Sequence, residues 1–387
     1  MKDRTTVIVT LPMLLRGGTE LQTLAMIKVL REEAYRTVVC CYYEFEKEMV
    51  EEFLKEKAEV HCLRLERSPR GASLAQMLKL FRVLRNFFSA HSPEIVHVQY
   101  VAPGLMPILA AKAAGVRKIF ATIHYPRNVF GRREERFVRL AARLCNLFLC
   151  NSLATERSWF GSGSVFDAFD PGVAPRHCTI YNSVDAARIE RLASSVNKVS
   201  QRKSLHITWE NVVGVVARLR SEKGHSFLFQ AMKQVLKSVP NTKLVVVGDG
   251  PDRRALQSLG EALEIDRNIV WMGAKSHEET FQLYGMMDVV VVPSRFEGFG
   301  LAAAEAMAAG VPVVASDADG LREVIDDGIT GYLVPFGDTS GMSSSIVGLL
   351  SDPLIAARFG EAGKKRVREL FPLARFHNAI KAVYEKS

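Results

Sequence analysis

No apolar run in the 387 residues approaches the ~20 that a membrane-spanning helix needs, and the apolar stretch 7–15 is short and interrupted by Pro12. Neither a membrane span nor a signal peptide is expected. None of the six cysteines, Cys40, Cys41, Cys62, Cys145, Cys150 and Cys178, forms a CxxC pair with metal or redox spacing. They read as small buried hydrophobes in a reduced, cytoplasmic protein. Low-complexity segments, short solenoid repeats, a GxGxxG fingerprint and a GxxxxGK[ST] loop are all missing, which excludes disordered, repeat and P-loop classes.

What is present suits large cores: 48% of residues are hydrophobic and 24% charged, over a length that fits two domains better than one. The net charge of +9 is uneven. Residues 1–184 hold 26 Lys and Arg against 18 Asp and Glu, and the remainder 25 against 24. A basic half can meet an anionic substrate, an anionic membrane or nucleic acid. No aromatic-interleaved recognition motif accompanies it, so nucleic acid is not an expected partner.

Short β-branched runs alternate with amphipathic stretches. Strands are expected at 6–10, 37–42, 60–65, 95–100, 118–124 and 147–152, with helices such as 20–33, 74–90 and 134–145 between them. Crossovers of this length build parallel sheets, and strands this continuously apolar suit a sheet covered on both faces. A polar stretch, 186–206, breaks the pattern and reads as an interdomain connection. Strands then resume at 212–217, 243–248, 268–273, 288–293, 312–316 and 331–334. From 351 to 386 the period is helical, with Pro372 beginning or kinking the last helix. The expected fold class is α/β, with two facing doubly wound Rossmann-like domains, an interdomain cleft and a C-terminal helical tail. The boundaries expected are 1–185 for the first domain, 186–208 for the linker, 209–370 for the second domain and 371–387 for a helix packing back on the first.

The strongest local signal follows the strand at 288–293: Ser294-Arg295-Phe296-Glu297-Gly298-Phe299-Gly300-Leu301, opening a helix that carries Glu305. Glycines let a ligand approach the backbone, and a helix start offers unpaired N–H groups and the positive end of its dipole, which together favour an anion. Carboxylates beside a phosphate are repelled unless they accept hydrogen bonds from neutral hydroxyls. A phosphorylated, polyhydroxylated ligand meets both demands. Arg218 and Lys223, just past the strand at 212–217, lie at the same sheet edge and could stabilise a diphosphate leaving group. In the first half, Arg16-Gly17-Gly18-Thr19-Glu20 opens a helix after the first strand, and His124 ends the strand at 118–124. Taken singly, each has an ordinary reading: a solvated carboxylate, a solvated cation, a glycine turn, a structural histidine.

The ordered set resembles the retaining nucleotide-sugar glycosyltransferases of the GT-B fold, of the family-four type. The Glu-Gly-Phe-Gly-Leu core with its E-x7-E spacing carries the resemblance, as do Ile95-Val96-His97-Val98, Thr122-Ile123-His124, Ile180-Tyr181-Asn182-Ser183-Val184-Asp185, Lys223-Gly224, Gly248-Asp249-Gly250-Pro251 and Ala308-Ala309-Gly310-Val311-Pro312-Val313. It implies that Arg218 and Lys223 bind the diphosphate, that Glu305 binds ribose hydroxyls and that Glu297 contacts the donor sugar. His124 would touch the transferred sugar, so that Glu297, His124, Arg218 and Lys223 form the implied catalytic set. Backbone groups of Phe299, Gly300 and Leu301, with Gly17 and Gly18, would hold the donor. Base contacts would fall near Met272 and leave uridine and guanosine open.

The resemblance further implies transfer from a nucleoside-diphosphate sugar, used as substrate with no cofactor and no metal, to a glycan or lipid-linked acceptor in cell-surface polysaccharide or glycolipid synthesis. Anomeric configuration would be retained, the departing phosphate oxygen taking the acceptor proton. Two positions depart from the pattern. Ser183 stands where glycine is common, and Asp317-Ala318-Asp319-Gly320 replaces a glycine-rich loop while imitating the DxD metal motif of another glycosyltransferase fold. The competing readings are a nucleotide-sugar epimerase or hydrolase on the same scaffold, and a catalytically silent binding protein.

Arg127, Arg132, Arg133, Arg136, Arg139 and Arg143 crowd a segment that also holds Phe130, Phe137, Leu140 and Leu144. A basic amphipathic helix of this kind can lie on anionic lipid, which makes an anionic membrane surface a candidate partner and a peripheral location on the inner face of the membrane a candidate site. The plainer reading is a solvated helix face with Phe137 and Leu140 in the core.

Overall fold

The computed structural model describes residues 4–66, 73–99, 105–168, 176–207 and 211–386. The chain divides into two compact units, Met1–Asn182 with Ala374–Ser387, and Ser183–Leu373.

The first unit holds strands β1 (Thr6–Leu14), β2 (Arg36–Phe45), β3 (Glu59–Cys62), β4 (Ile95–Gln99), β5 (Lys118–Ile123), β6 (Leu147–Cys150) and β7 (His177–Thr179). They form one parallel sheet in the order β3-β2-β1-β4-β5-β6-β7, with Val9 beside Val39 on one side and His97 on the other. Alternate residues serve opposite faces: Val7 and Val9 pack with Ile27 and Leu30, while Ile8, Val38 and Val96 pack with Leu84 and Ile108. Two covered faces are the reason these strands read as unbroken apolar runs.

The second unit repeats the plan with β8 (Asn211–Val216), β9 (Thr242–Val247), β10 (Ile269–Gly273), β11 (Val289–Val292), β12 (Val313–Ser316) and β13 (Gly331–Val334), ordered β10-β9-β8-β11-β12-β13. In each sheet the chain runs outward from its first strand and then returns to pair on that strand's other side, β4 on β1 and β11 on β8. Those two junctions are the switch points at which open α/β sheets bind ligands, beyond the carboxyl ends of the strands.

Every expected strand is present, all but 331–334 with shifted ends, and the α/β fold class stands. The strand at 95–100 ends at Gln99, and Tyr100 lies outside the described residues. Strand β7 was not legible, since three residues carry too little alternation to register.

The polar stretch expected to connect the domains is built structure. It folds as helices Ala186–Ser194 and Lys198–Ser204, with residue 208 of the expected linker outside the described residues. Ile189 and Ala193 are buried, and the Arg202 guanidinium donates to the Met286 carbonyl and the Asp288 carboxylate, each at 2.6 Å. Those contacts belong to the second unit. Pro372 sits between helices Pro353–Leu370 and Leu373–Lys386, and most of the latter helix belongs to the first unit. There the Tyr384 hydroxyl is hydrogen-bonded to His97 Nδ1 at 2.6 Å, and Phe376, Ile380 and Val383 join the core.

All six cysteines are free thiols. Burial pushes Cys41, Cys145 and Cys178 up to about 12, so they pack as apolar groups and are poor nucleophiles. Among the described residues no helix is long and apolar enough to cross a membrane.

Candidate active site

The loops after β8 and β11 flank the switch point of the second sheet, and backbone contacts bind them together. Gly224 sits at φ +70°, and an added Cβ there would lie 1.9 Å from the Pro293 carbonyl oxygen. Only glycine allows this turn to rest on the neighbouring loop. The Arg295 amide donates to the Glu222 carbonyl at 2.8 Å, a second tie between the same loops.

This packing brings Lys223 Nζ to 2.5 Å from Glu297 Oε1, and the buried Ser294 hydroxyl donates to the same oxygen at 2.9 Å. Both bonds fall on Oε1, which leaves Oε2 available to accept from a ligand hydroxyl. Arg218, half-buried in the β8 loop, has no carboxylate partner among the described residues. The site thus combines one paired and one uncommitted cation.

Gly300 adopts φ +101° and starts helix Leu301–Ala308, whose first turn no side chain caps. Its leading N–H groups are therefore open to an anion. Phe299 is buried, its ring edge-on to Phe371 at 5.0 Å, so only its backbone can serve a ligand. Glu305, in the second turn, accepts from the Tyr284 hydroxyl at 3.0 Å. Burial pushes its carboxyl up to about 7, and the Tyr284 bond works in the opposite direction. Met272 is half-buried near the end of β10, at the far side of the sheet from β11.

Two neighbours escaped the sequence reading. Tyr284, fully buried, fixes the Glu305 carboxyl. His225, directly after Lys223-Gly224, is buried with no hydrogen-bond partner on either ring nitrogen among the described residues, and burial followed by the nearby Lys223 pushes it down to about 4. Its place after the glycine turn was the one available signal. Of the two departures, Ser183 is buried without a left-handed backbone, so the turn requires no glycine. The Asp317 carboxylate accepts from Arg322 Nη2 at 2.8 Å, which engages the first acid of the DxD-like triplet.

Gly17, Gly18 and His124 belong to the first unit. Gly17 caps helix Gly18–Glu32 directly after β1. His124 lies just past β5, its Nε2 bonded to the Gln99 side chain at 2.8 Å and its carbonyl accepting from Asn151. Burial pushes it down to about 3, and burial with the adjoining His124 does the same for His97. Both are neutral at physiological pH. A cavity of about 30 Å³ adjoins them, bordered by Gln99, Thr122, Asn151 and Phe376; that is room for about one water.

On the basic helix Arg132–Leu144, Val138 and Ala141 are buried and Phe137 packs against the core, whereas Leu140 stays 43% exposed among arginines. The plainer reading of that face holds for Phe137 and fails for Leu140.

Residues 16–188 match the family described as Glycosyltransferase Family 4, and residues 197–366 match Glycosyl transferases group 1. The chain is 29% identical over 358 residues, 90% of each sequence, to a GDP-mannose-dependent alpha-(1-6)-phosphatidylinositol monomannoside mannosyltransferase of Mycolicibacterium smegmatis. It is 30% identical over 207 residues to the N-acetyl-alpha-D-glucosaminyl L-malate synthase of Bacillus anthracis, spanning 53% of this chain and about half, 52%, of that one. Among solved structures, HepE of Anabaena in complex with UDP and glucose superimposes with a TM-score of 0.82 at 21% identity, over 99% of this chain and 100% of that one. Two matched parallel sheets, two family matches in series and this overlay lead to one assignment: the chain belongs to the family-four, group 1 glycosyltransferases of the GT-B fold.

Proposed function

We propose that this glycosyltransferase moves a sugar from a nucleoside-diphosphate donor to a glycan or lipid-linked acceptor with retention of configuration and without a metal. The observation that carries the reading is the β8–β11 switch point, where Arg218 and Lys223 stand beside an uncapped helix start and the Glu297 carboxylate. Two cations and a helix N-terminus suit a diphosphate, and they stabilise it most as it departs with full charge. Glu297 Oε2 suits a sugar hydroxyl, and Glu305 suits the ribose diol. Arg218 and Lys223 can neutralise a leaving diphosphate without a divalent ion, and Arg322 holds the one acidic triplet that imitates a metal motif.

The transfer proposed is a front-face displacement, with the departing phosphate oxygen taking the acceptor proton. Neither Glu297 nor Glu305 is needed as a base. Gly17, Gly18 and His124 are proposed to serve the same transfer, His124 as a neutral hydrogen-bonding group. A cytoplasmic enzyme working at an anionic membrane face accords with the arginines of helix Arg132–Leu144 and with a phosphatidylinositol-mannoside transferase among its relatives. Thermal-shift screening against UDP-, GDP- and ADP-sugars identifies the donor, and proton NMR of the transfer product reads the anomer. Donor consumption without any acceptor would instead mark an epimerase or hydrolase, and an inverted anomer would refute the displacement.

A further inference from the structure

A second and larger cavity, of about 550 Å³, opens in the first unit between helix Arg132–Leu144, helix Leu153–Phe160 and the start of edge strand β7. That volume is within the ~300–1,000 Å³ typical of small-molecule pockets. It begins at the amino end of β7, whereas His124 follows the carboxyl end of β5, so it is not the His124 pocket.

Arg127, Arg139, Arg143, Arg157 and Arg176 line it, and among the described residues no lining residue is acidic. Arg127 and Arg139 share one oxygen of Glu135, at 2.9 and 3.2 Å. Among the described residues no carboxylate pairs with Arg143, Arg157 or Arg176. Such a concentration of like charge works against folding unless an anion neutralises it. On another wall Phe160 and His177 are stacked with centroids 4.0 Å apart and planes 6° from parallel, and Glu156 fixes His177 Nδ1 at 2.6 Å. The pocket therefore joins forked donors to a flat apolar surface.

We propose that this cavity binds a phosphate-bearing small ligand, a sugar phosphate or an anionic phospholipid headgroup, at a place separate from the donor site. Guanidinium forks match phosphate oxygens two at a time, and several converging arginines suit a group with three or more acceptor oxygens better than a lone carboxylate. The stacked rings would cover the carbon skeleton attached to it. The inference stands whichever sugar the enzyme moves, since binding is read without turnover.

Calorimetric titration of the full chain with glycerol 3-phosphate, alongside flotation with phosphatidylglycerol and phosphatidylcholine vesicles, tests it. The triple variant Arg143→Gln/Arg157→Gln/Arg176→Gln is compared with Lys237→Gln/Arg254→Gln/Lys365→Gln, which removes equal charge from exposed positions of the second unit. We expect an anionic phosphate probe to bind and the first variant to lose at least about tenfold, against less than about twofold for the second. Binding of glycerol 3-phosphate assigns a soluble ligand, and binding to phosphatidylglycerol vesicles alone assigns a headgroup. The single exposed change Arg157→Ala, expected to weaken binding with an unchanged melting temperature, guards against misfolding as the cause. Absence of binding to every probe, or equal losses in the two triple variants, overturns the proposal.

Discussion

The two sheets share a strand plan, yet polar groups near their central strands are treated in opposite ways. Beyond β8 and β11, Lys223, Arg218 and Glu297 keep partial exposure, and no side chain caps the helix start at Gly300. In the first unit His97, within β4, and His124, just past β5, are buried and neutral, and the last helix of the chain supplies Tyr384, Phe376 and Ile380 around them. One topology thus supports a charged, partly exposed edge in one copy and a buried, hydrogen-bonded edge in the other. Function follows the loops and not the sheet.

The contrast is broken most severely at the charged edge. Glu297→Gln and Lys223→Ala are each expected to cut turnover by about 10²–10³-fold with the thermal melt preserved, as removal of one preorganised electrostatic group does. A variant that keeps full turnover would remove its residue from the transfer site. Next in size, Gly224→Ala forces a side chain into a left-handed turn and against the Pro293 carbonyl; a loss of about 2–3 kcal/mol in urea unfolding is expected.

The Glu305 effect is smaller and depends on pH. A carboxyl held near 7 when empty must lose its proton to accept from a ribose diol, so donor affinity should rise about tenfold between pH 6 and pH 8. Glu305→Gln should flatten that slope in titrations with a sugar nucleotide. The same raised value means that the folded chain holds this proton more tightly than the unfolded chain, so its contribution to stability is present at low pH and is lost as pH rises from the unfolded value through about 7. At the buried edge of the first unit the effects are smallest. Tyr384→Phe strips one hydrogen bond from His97 and should cost about 1–2 kcal/mol by denaturant titration, without altering nucleotide affinity.

The repeated alternation of apolar runs and amphipathic stretches made both sheets legible, because strands covered on two faces must be apolar throughout. The site was legible where chemistry is local: Glu297, Gly300 and Glu305 fall within one turn and helix, and Lys223-Gly224 advertises a tight loop. What the chain order hid was long-range. Nothing around Tyr284 announces a bond to Glu305, and nothing at Tyr384 announces His97, since each pair is joined only by folding. The helices at 186–204 were hidden by polar outer faces over a narrow apolar stripe of Ile189 and Ala193. In sequence His124 is implied to touch the transferred sugar, whereas its burial and neutral state emerge only in three dimensions.

The central claim is that the β8–β11 junction receives the donor's diphosphate. A crystal soaked with the sugar nucleotide that raises the melting temperature most tests it directly. The account predicts phosphate density within hydrogen-bonding distance of Arg218, of Lys223 and of the first amides of helix Leu301–Ala308, with Lys223 released from Glu297. Density settled elsewhere, with the Lys223–Glu297 pair intact, would contradict it.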